Sequence, residues 1–246
     1  MKIYYINLMR LLRNASAVIL ILGVIVLGIA YLQGKLETPT MKRYEPIWQG
    51  NANEKKVALI CNVVWGEEFI PEMLQVLRSK DVKITFFIGG QWAEQFPELT
   101  ALIEKEGHVL GNHGYAHLRP TQLSLEKNWE EIKKTEEILL GITKKKTTLF
   151  HPPYRELDNR VVQLAGERGY ITIMSSVDTI DWQRPDPQVI INRVNDKVHN
   201  GAIILMHPTA PTVRALPKLI DNLKSQGYQI VTVPELIPAA EQQIEG

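Results

Sequence analysis

From residue 56 onward, short apolar runs of β-leaning composition alternate with segments whose apolar residues recur at helical spacing. No other feature restricts the fold as much, because repeated strand–helix units direct a chain to a parallel sheet with helices packed outside it. The strand-like runs are 56–61, 83–88, 108–111, 147–150, 170–174, 202–206 and 229–233, seven in all. Between the first of them, helical faces are carried by Ile70, Met73, Leu74 and Leu77, by Trp92, Phe96, Leu99 and Ile103, and by Leu125, Trp129, Ile132 and Leu139. The second half continues with Val161, Leu164 and Ala165, then Ile190, Val194 and Val198, then Leu216, Ile220 and Leu223. Ser124 and Asp158 stand where N-caps belong, and Gly107 and Gly227 where helices stop. Pro217 leaves the start of the last helix open.

An open doubly wound sheet and a closed barrel both satisfy this alternation. Polar residues just past successive strands favour the barrel: Asn62, His113, His151, Asp178 with Asp181, and His207. A parallel barrel gathers the loops at its strands' C-terminal ends around one mouth, whereas an open sheet would spread them. The expected architecture is α/β, a (β/α) barrel over residues 56–238 with a tail at 239–246. About 190 residues suffice for one well-buried core.

The N-terminal region is of another kind. Residues 15–32 form an uncharged apolar run of 18 residues, just long enough to cross a hydrocarbon layer as a helix. Lys2, Arg10 and Arg13 precede it, and the flank beyond mixes Lys35 with Glu37. The basic-inside preference leaves residues 1–33 as a cytoplasmic tip and signal-anchor and puts the barrel outside, at the cell membrane. Gly28-Ile29-Ala30 also fits a cleavage site loosely, which would make the protein secreted. Both readings export the barrel. Residues 34–55, with Pro39, Pro46 and Gly50, read as a linker. A net charge of +1 argues against a nucleic-acid partner, and a lone Cys61 cannot form an internal disulfide. Oligomeric state is not specified by any of these features.

Four segments carry the chemistry: Gly111-Asn112-His113-Gly114-Tyr115-Ala116-His117, Phe150-His151-Pro152-Pro153-Tyr154, Val177-Asp178-Thr179-Ile180-Asp181-Trp182, and Ile204-Leu205-Met206-His207-Pro208. In this order they resemble the motifs of the polysaccharide deacetylase family, also called the NodB-homology domain or carbohydrate esterase family four. The likeness runs from about residue 57 to 237. It implies a distorted seven-stranded barrel that removes N- or O-acetyl groups from chitin-like or peptidoglycan sugars with a divalent metal, zinc foremost. The expected partner is thus an N-acetylated glycan such as peptidoglycan.

By the same resemblance, His113 and His117 would hold the metal, with His151 as a conceivable third ligand. His207 would be the general acid, its ring oriented by Asp181, with Asp178 the second choice for that role. The alternative for that pair is a turn-capping aspartate beside a core histidine. The first family motif departs: where it carries two aspartates, a base and a metal ligand, Asn62 and Val63 stand here. Asn62 can hydrogen-bond but has no titratable carboxylate. His151 replaces an arginine and Ser175 a frequent tryptophan. Trp65, Tyr154 and Trp182 either stack on sugar rings at the mouth or pack in the core. Glu67 and Glu68 are candidate replacement carboxylates, or solvated residues at a helix start. Two functions follow: a metal-dependent glycan deacetylase with an altered base, or a glycan-binding or envelope-assembly protein on the same barrel with catalysis lost.

Overall fold

A computed structural model describes residues 8–36 and 43–237. The expected C-terminal tail, the first seven residues and positions 37–42 of the linker lie outside the described residues. The chain divides into two compact units, Met1–Arg43 and Tyr44–Gly246.

In the first unit, α1 (Leu8–Leu36) includes the apolar stretch Arg13–Tyr31, with a mean hydropathy of 2.3. Nineteen residues at 1.5 Å each reach about 28 Å, near the thickness of a hydrocarbon layer. Its Val18, Leu20, Val24 and Leu27 are exposed, so the helix presents apolar surface rather than burying it. This makes it a candidate membrane span.

In the second unit every named strand pair is parallel. The strands are β1 (Lys56–Val63), β2 (Thr85–Ile88), β3 (Val109–Asn112), β4 (Leu149–Phe150), β5 (Ile171–Thr172), β6 (Val177–Asp178), β7 (Ile203–Met206) and β8 (Gln229–Val231). Their order is β5-β4-β3-β2-β1-β7-β6, with β8 on β1. Ala58 pairs with both Ile203 of β7 and Val231 of β8, so β8 and β2 share one edge of β1, β8 at its start and β2 at its end. Strands β5 and β6 terminate the order yet are separated by only residues 173–176. Seven flat strands would span about 29 Å, whereas that connection reaches at most about 17 Å. The sheet must therefore curl, and it forms the expected distorted barrel with a gap between β5 and β6.

Strand alternation sorts β1 into two layers. Val57, Leu59, Cys61 and Val63 join a core cluster with Ile70, Met73 and Leu74 of α2 (Ile70–Ser79). Leu216, Leu219 and Ile220 of α8 (Ala210–Ser225) belong to the same cluster, between sheet and helices. Ala58 and Ile60 belong to a second cluster with Phe87, Ile173 and Leu205, inside the curl. By the period of two, Asn62 continues the inner set and arrives at the rim.

Three local expectations change. The helix expected through Trp92 and Ile103 is two, α3 (Gly90–Gln95) and α4 (Pro97–Lys105). Pro97 forces the preceding residue out of helical conformation, and Phe96 sits at φ −126°, ψ 58°. The short strand β6 was not among the expected seven. The folded unit also begins near Tyr44 rather than 56. Ile47 bridges to Ile173 and Gln49 to Ala202, and the Tyr44 ring lies where a Cβ on Gly166 would be, 2.1 Å from its Cγ. Tyr44, Ile47, Gln49 and Gly50 thus contact the barrel unit, while residues 51–55 are exposed. Elsewhere α5 (Leu125–Thr143) starts at the Ser124 cap and α6 (Asn159–Glu167) at the Asp158 cap. The helix α7 (Pro187–Asn195) is capped by Asp186, and α8 runs from Thr209 through Pro217. A last short helix, α9 (Val233–Leu236), follows β8 directly.

Candidate functional site

The C-terminal strand ends surround a cleft of about 790 Å³. Asn62, His113, His117, Asp178 and His207 all line it, together with the aromatic residues Trp65, Tyr154 and Trp182. Residues as far as 145 positions apart therefore share one hollow, as the loop argument expects.

One wall is the His-x-x-x-His loop after β3. Asn112 fixes its start, accepting the Gly114 N–H at Oδ1 (2.9 Å) and donating to the Ile132 carbonyl (2.7 Å). Glu131 of α5 accepts the Tyr115 and Ala116 N–H groups (3.2 and 2.7 Å). Gly114 and His117 take the left-handed conformation, φ 73° and 52°. His113 Nδ1–H donates to the His151 carbonyl (2.6 Å), which leaves its Nε2 lone pair free, and the His117 ring lies 5.0 Å away. Burial pushes His113 well below the ordinary imidazole value of 6.5 and His117 down to about 4. Both rings are therefore neutral near neutral pH.

A second wall holds a His–Asp dyad, its aspartate buried and its histidine partly exposed. His207 Nδ1–H donates to Asp181 Oδ1 (2.8 Å), and the His207 backbone N–H donates to Oδ2 (2.6 Å). Thr212 Oγ1–H donates to the same Oδ2 (2.6 Å). Asp181 is fully buried, so this carboxylate orients the ring and fixes its tautomer. The Trp65 indole stacks over His207, centroids 5.9 Å apart and planes 9° apart. Its neighbour Gly66 needs both its φ of 83° and its missing side chain, since a Cβ would stand 2.3 Å from the Pro208 carbonyl oxygen. Asp178 is engaged elsewhere, accepting from Arg155 Nη1 (3.1 Å) and the Ile180 N–H (2.8 Å). Asp181, rather than Asp178, partners the histidine.

The floor departs most from the expected hydrolase. Asn62 Nδ2–H donates to His151 Nδ1 (3.3 Å). His151 is fully buried, burial lowers its pKa to about 3, and it does not line the cleft. As the conceivable third metal ligand, it has its Nδ1 on Asn62 and its ring centroid 5.3 Å from that of His113. Val63 faces the outer core cluster and supplies no donor. No group of three or more His, Cys, Asp or Glu residues among those described could hold a metal ion. His113 and His117 are one protein ligand short of a catalytic zinc centre, so the donor set does not fit one. Glu67 and Glu68 do not line the cleft, and Cys61 lies in the outer core with its thiol pushed up by burial.

Sequence reasoning missed Arg155, Arg119, Glu131 and Thr212. Arg119 lies over the Tyr154 ring, 4.2 Å from its centroid, and both arginines line the cleft. Arg155, one residue past Pro153-Tyr154, was the most accessible of these from the motif alone.

The depressed histidines make stability depend on acid. His108 falls to about 4 and His151 to about 3, both mainly through burial. Below 6.5 the unfolded chain takes up these protons before the folded one does, so stability is full above that value and declines as pH falls toward 4. The urea midpoint should drop over this window, less steeply in His108→Gln. A midpoint constant across it would contradict the assignment.

A curled parallel α/β barrel whose mouth collects imidazoles, a His–Asp dyad and exposed aromatic rings defines the carbohydrate-esterase class of scaffold. The polysaccharide deacetylase family model matches residues 49–173. The peptidoglycan-N-acetylglucosamine deacetylase of Bacillus cereus is 33% identical over 207 residues, covering 82% of this chain and 75% of that protein. The uncharacterized protein YlxY of Bacillus subtilis is 42% identical over 193 residues; the match covers 78% of this chain but spans only 60% of that relative's length. Among solved structures, wild-type BA3943 of Bacillus anthracis, described as a CE4 family pseudoenzyme, superposes with a TM-score of 0.78 at 40% identity. That match covers 79% of this chain and 69% of BA3943, and a mutant of BA3943 is described as having restored enzymatic activity. The chain belongs to the polysaccharide deacetylase family.

Proposed function

We propose that this chain is a membrane-anchored glycan-binding member of the family, its barrel outside the cytoplasmic membrane and its cleft receiving N-acetylated cell-wall glycan such as peptidoglycan without hydrolysing it. One observation carries the reading: the cleft floor is an Asn62 carboxamide tied to a buried imidazole, with Val63 turned into the core. Hydrolysis needs a group to take the water proton, and a carboxamide cannot. An ion, zinc foremost, would find His113 and His117 alone. Similarity to a pseudoenzyme and to a peptidoglycan deacetylase supports both halves of the proposal, the lost chemistry and the retained ligand class. The second reading, a deacetylase with an altered base, is favoured by the intact His207–Asp181 dyad, which would protonate a leaving amine. That dyad still lacks its counterpart on the water side.

Tyr154 and Trp182 are about half exposed at the mouth, placed to stack on sugar rings. Full-length protein in nanodiscs should co-sediment with purified N-acetylated peptidoglycan. The double variant Tyr154→Ala/Trp182→Ala should bind about tenfold more weakly, as expected for the loss of two aromatic contacts. Failure of the wild type to co-sediment above an unrelated control would end the binding reading.

A further inference from the structure

Asn62, which lines the cleft, satisfies only one end of its carboxamide. Its Nδ2–H donates to His151 Nδ1, and its Oδ1 has no hydrogen-bond partner among the described residues. With Nδ2 on His151 Nδ1, the imidazole accepts at Nδ1 and carries its proton on Nε2. The amide nitrogen is turned to His151, and Oδ1 is left as a buried acceptor without a partner on a residue that lines the cleft.

The surrounding charges are already paired with one another. Asp178 is the single carboxylate lining the cleft among the described residues, and it is already taken by Arg155 and the Ile180 N–H. Asp181 is fully buried and bonded to His207 and Thr212. Arg119 and Arg155 contribute two guanidinium groups to the lining, and they are paired with Glu156 and Asp178 respectively. No unpaired anion is left to receive a cation, whereas a neutral N–H would satisfy the orphan acceptor.

We propose that Asn62, held by His151, is a specificity-determining residue that accepts a hydrogen bond from the amide N–H of an intact N-acetylamino sugar, and that the cleft rejects the ammonium of its de-N-acetylated form. The inference rests on glycan binding at this cleft. An ammonium entering here sheds water without gaining a free counter-charge. A neutral amide satisfies the acceptor and adds no charge. Asn62 is thus more than a vacancy where a base is expected: it converts the floor into a reader of the acetamido group. His151 acts through Asn62 and is a positioning residue.

Isothermal titration of the full-length protein in nanodiscs decides the matter, using an N-acetylglucosamine tetramer and its fully de-N-acetylated counterpart with the amines protonated. Wild type should bind the acetylated tetramer at least ~10-fold more tightly, the scale at which hydrogen-bonding sites discriminate. Asn62→Leu should weaken that tetramer about tenfold. Asn62→Asp should reverse the preference, and His151→Phe should reduce it while His151→Gln, which can still accept, preserves it. Equal affinity of wild type for both tetramers, or an unchanged preference in Asn62→Leu, overturns the proposal while leaving glycan binding in place. Binding of neither tetramer overturns the glycan-binding reading and this inference together. Should Asn62→Leu fail to fold, the reversal in Asn62→Asp decides alone.

Discussion

Replacing Asp181 with alanine should destabilise the barrel by ~3–5 kcal/mol, the scale for removing one member of a buried, hydrogen-bonded pair. Its two oxygens take the His207 backbone N–H, the His207 ring N–H and the Thr212 hydroxyl, and the carboxylate is fully buried. Deleting it strands three donors where water has little access, each worth roughly 1–3 kcal/mol when left unsatisfied. Asp181→Asn keeps one acceptor and should lose about half as much. The chain's five tryptophans all lie beyond residue 44, so urea unfolding followed by tryptophan fluorescence reports on the barrel unit rather than on α1. A loss under about 1 kcal/mol would mean that this carboxylate contributes little to the fold.

Val63→Asp should be comparably damaging, at several kcal/mol, whereas Asn62→Asp should cost far less. The two positions are adjacent but face opposite layers. Val63 is fully buried in the apolar cluster between β1 and the helices, where a new carboxylate would be surrounded by apolar side chains. Asn62 is at the rim, beside an imidazole that a carboxylate would stabilise in its charged form. The same fluorescence transition, compared at neutral and acidic pH, separates them: Val63→Asp should recover some stability in acid as its carboxyl is neutralised. Equal stability of both variants at neutral pH would show that Val63 is not confined to the core.

The strand register made the mouth legible before the structure. Asn62, His113, His151, Asp178, Asp181 and His207 each follow an apolar run, and strand ends in a parallel barrel converge. The break at Phe96 was also written locally, in Pro97, and was obscured by an apolar spacing that continues across it. Other features had no local signal. Tyr44 packs on Gly166, more than a hundred residues away, so nothing in the polar composition of residues 44–55 announced that the first of them contact the barrel unit. The strand β6 has two residues, too few for periodicity to register. His151 is oriented by Asn62 from 89 positions upstream, and Asp178 is claimed by Arg155. Motif order could nominate these side chains but not decide which of them touch. The distinction between metal ligand and buried support was therefore beyond the sequence.

Acetate release from N-acetylated peptidoglycan by the full-length protein, supplemented in turn with zinc, cobalt and manganese, tests the central claim directly. A floor made of Asn62, with no third ligand for an ion, predicts acetate indistinguishable from the protein-free blank with every metal. Sustained release that disappears in His113→Ala and in His207→Ala would contradict it.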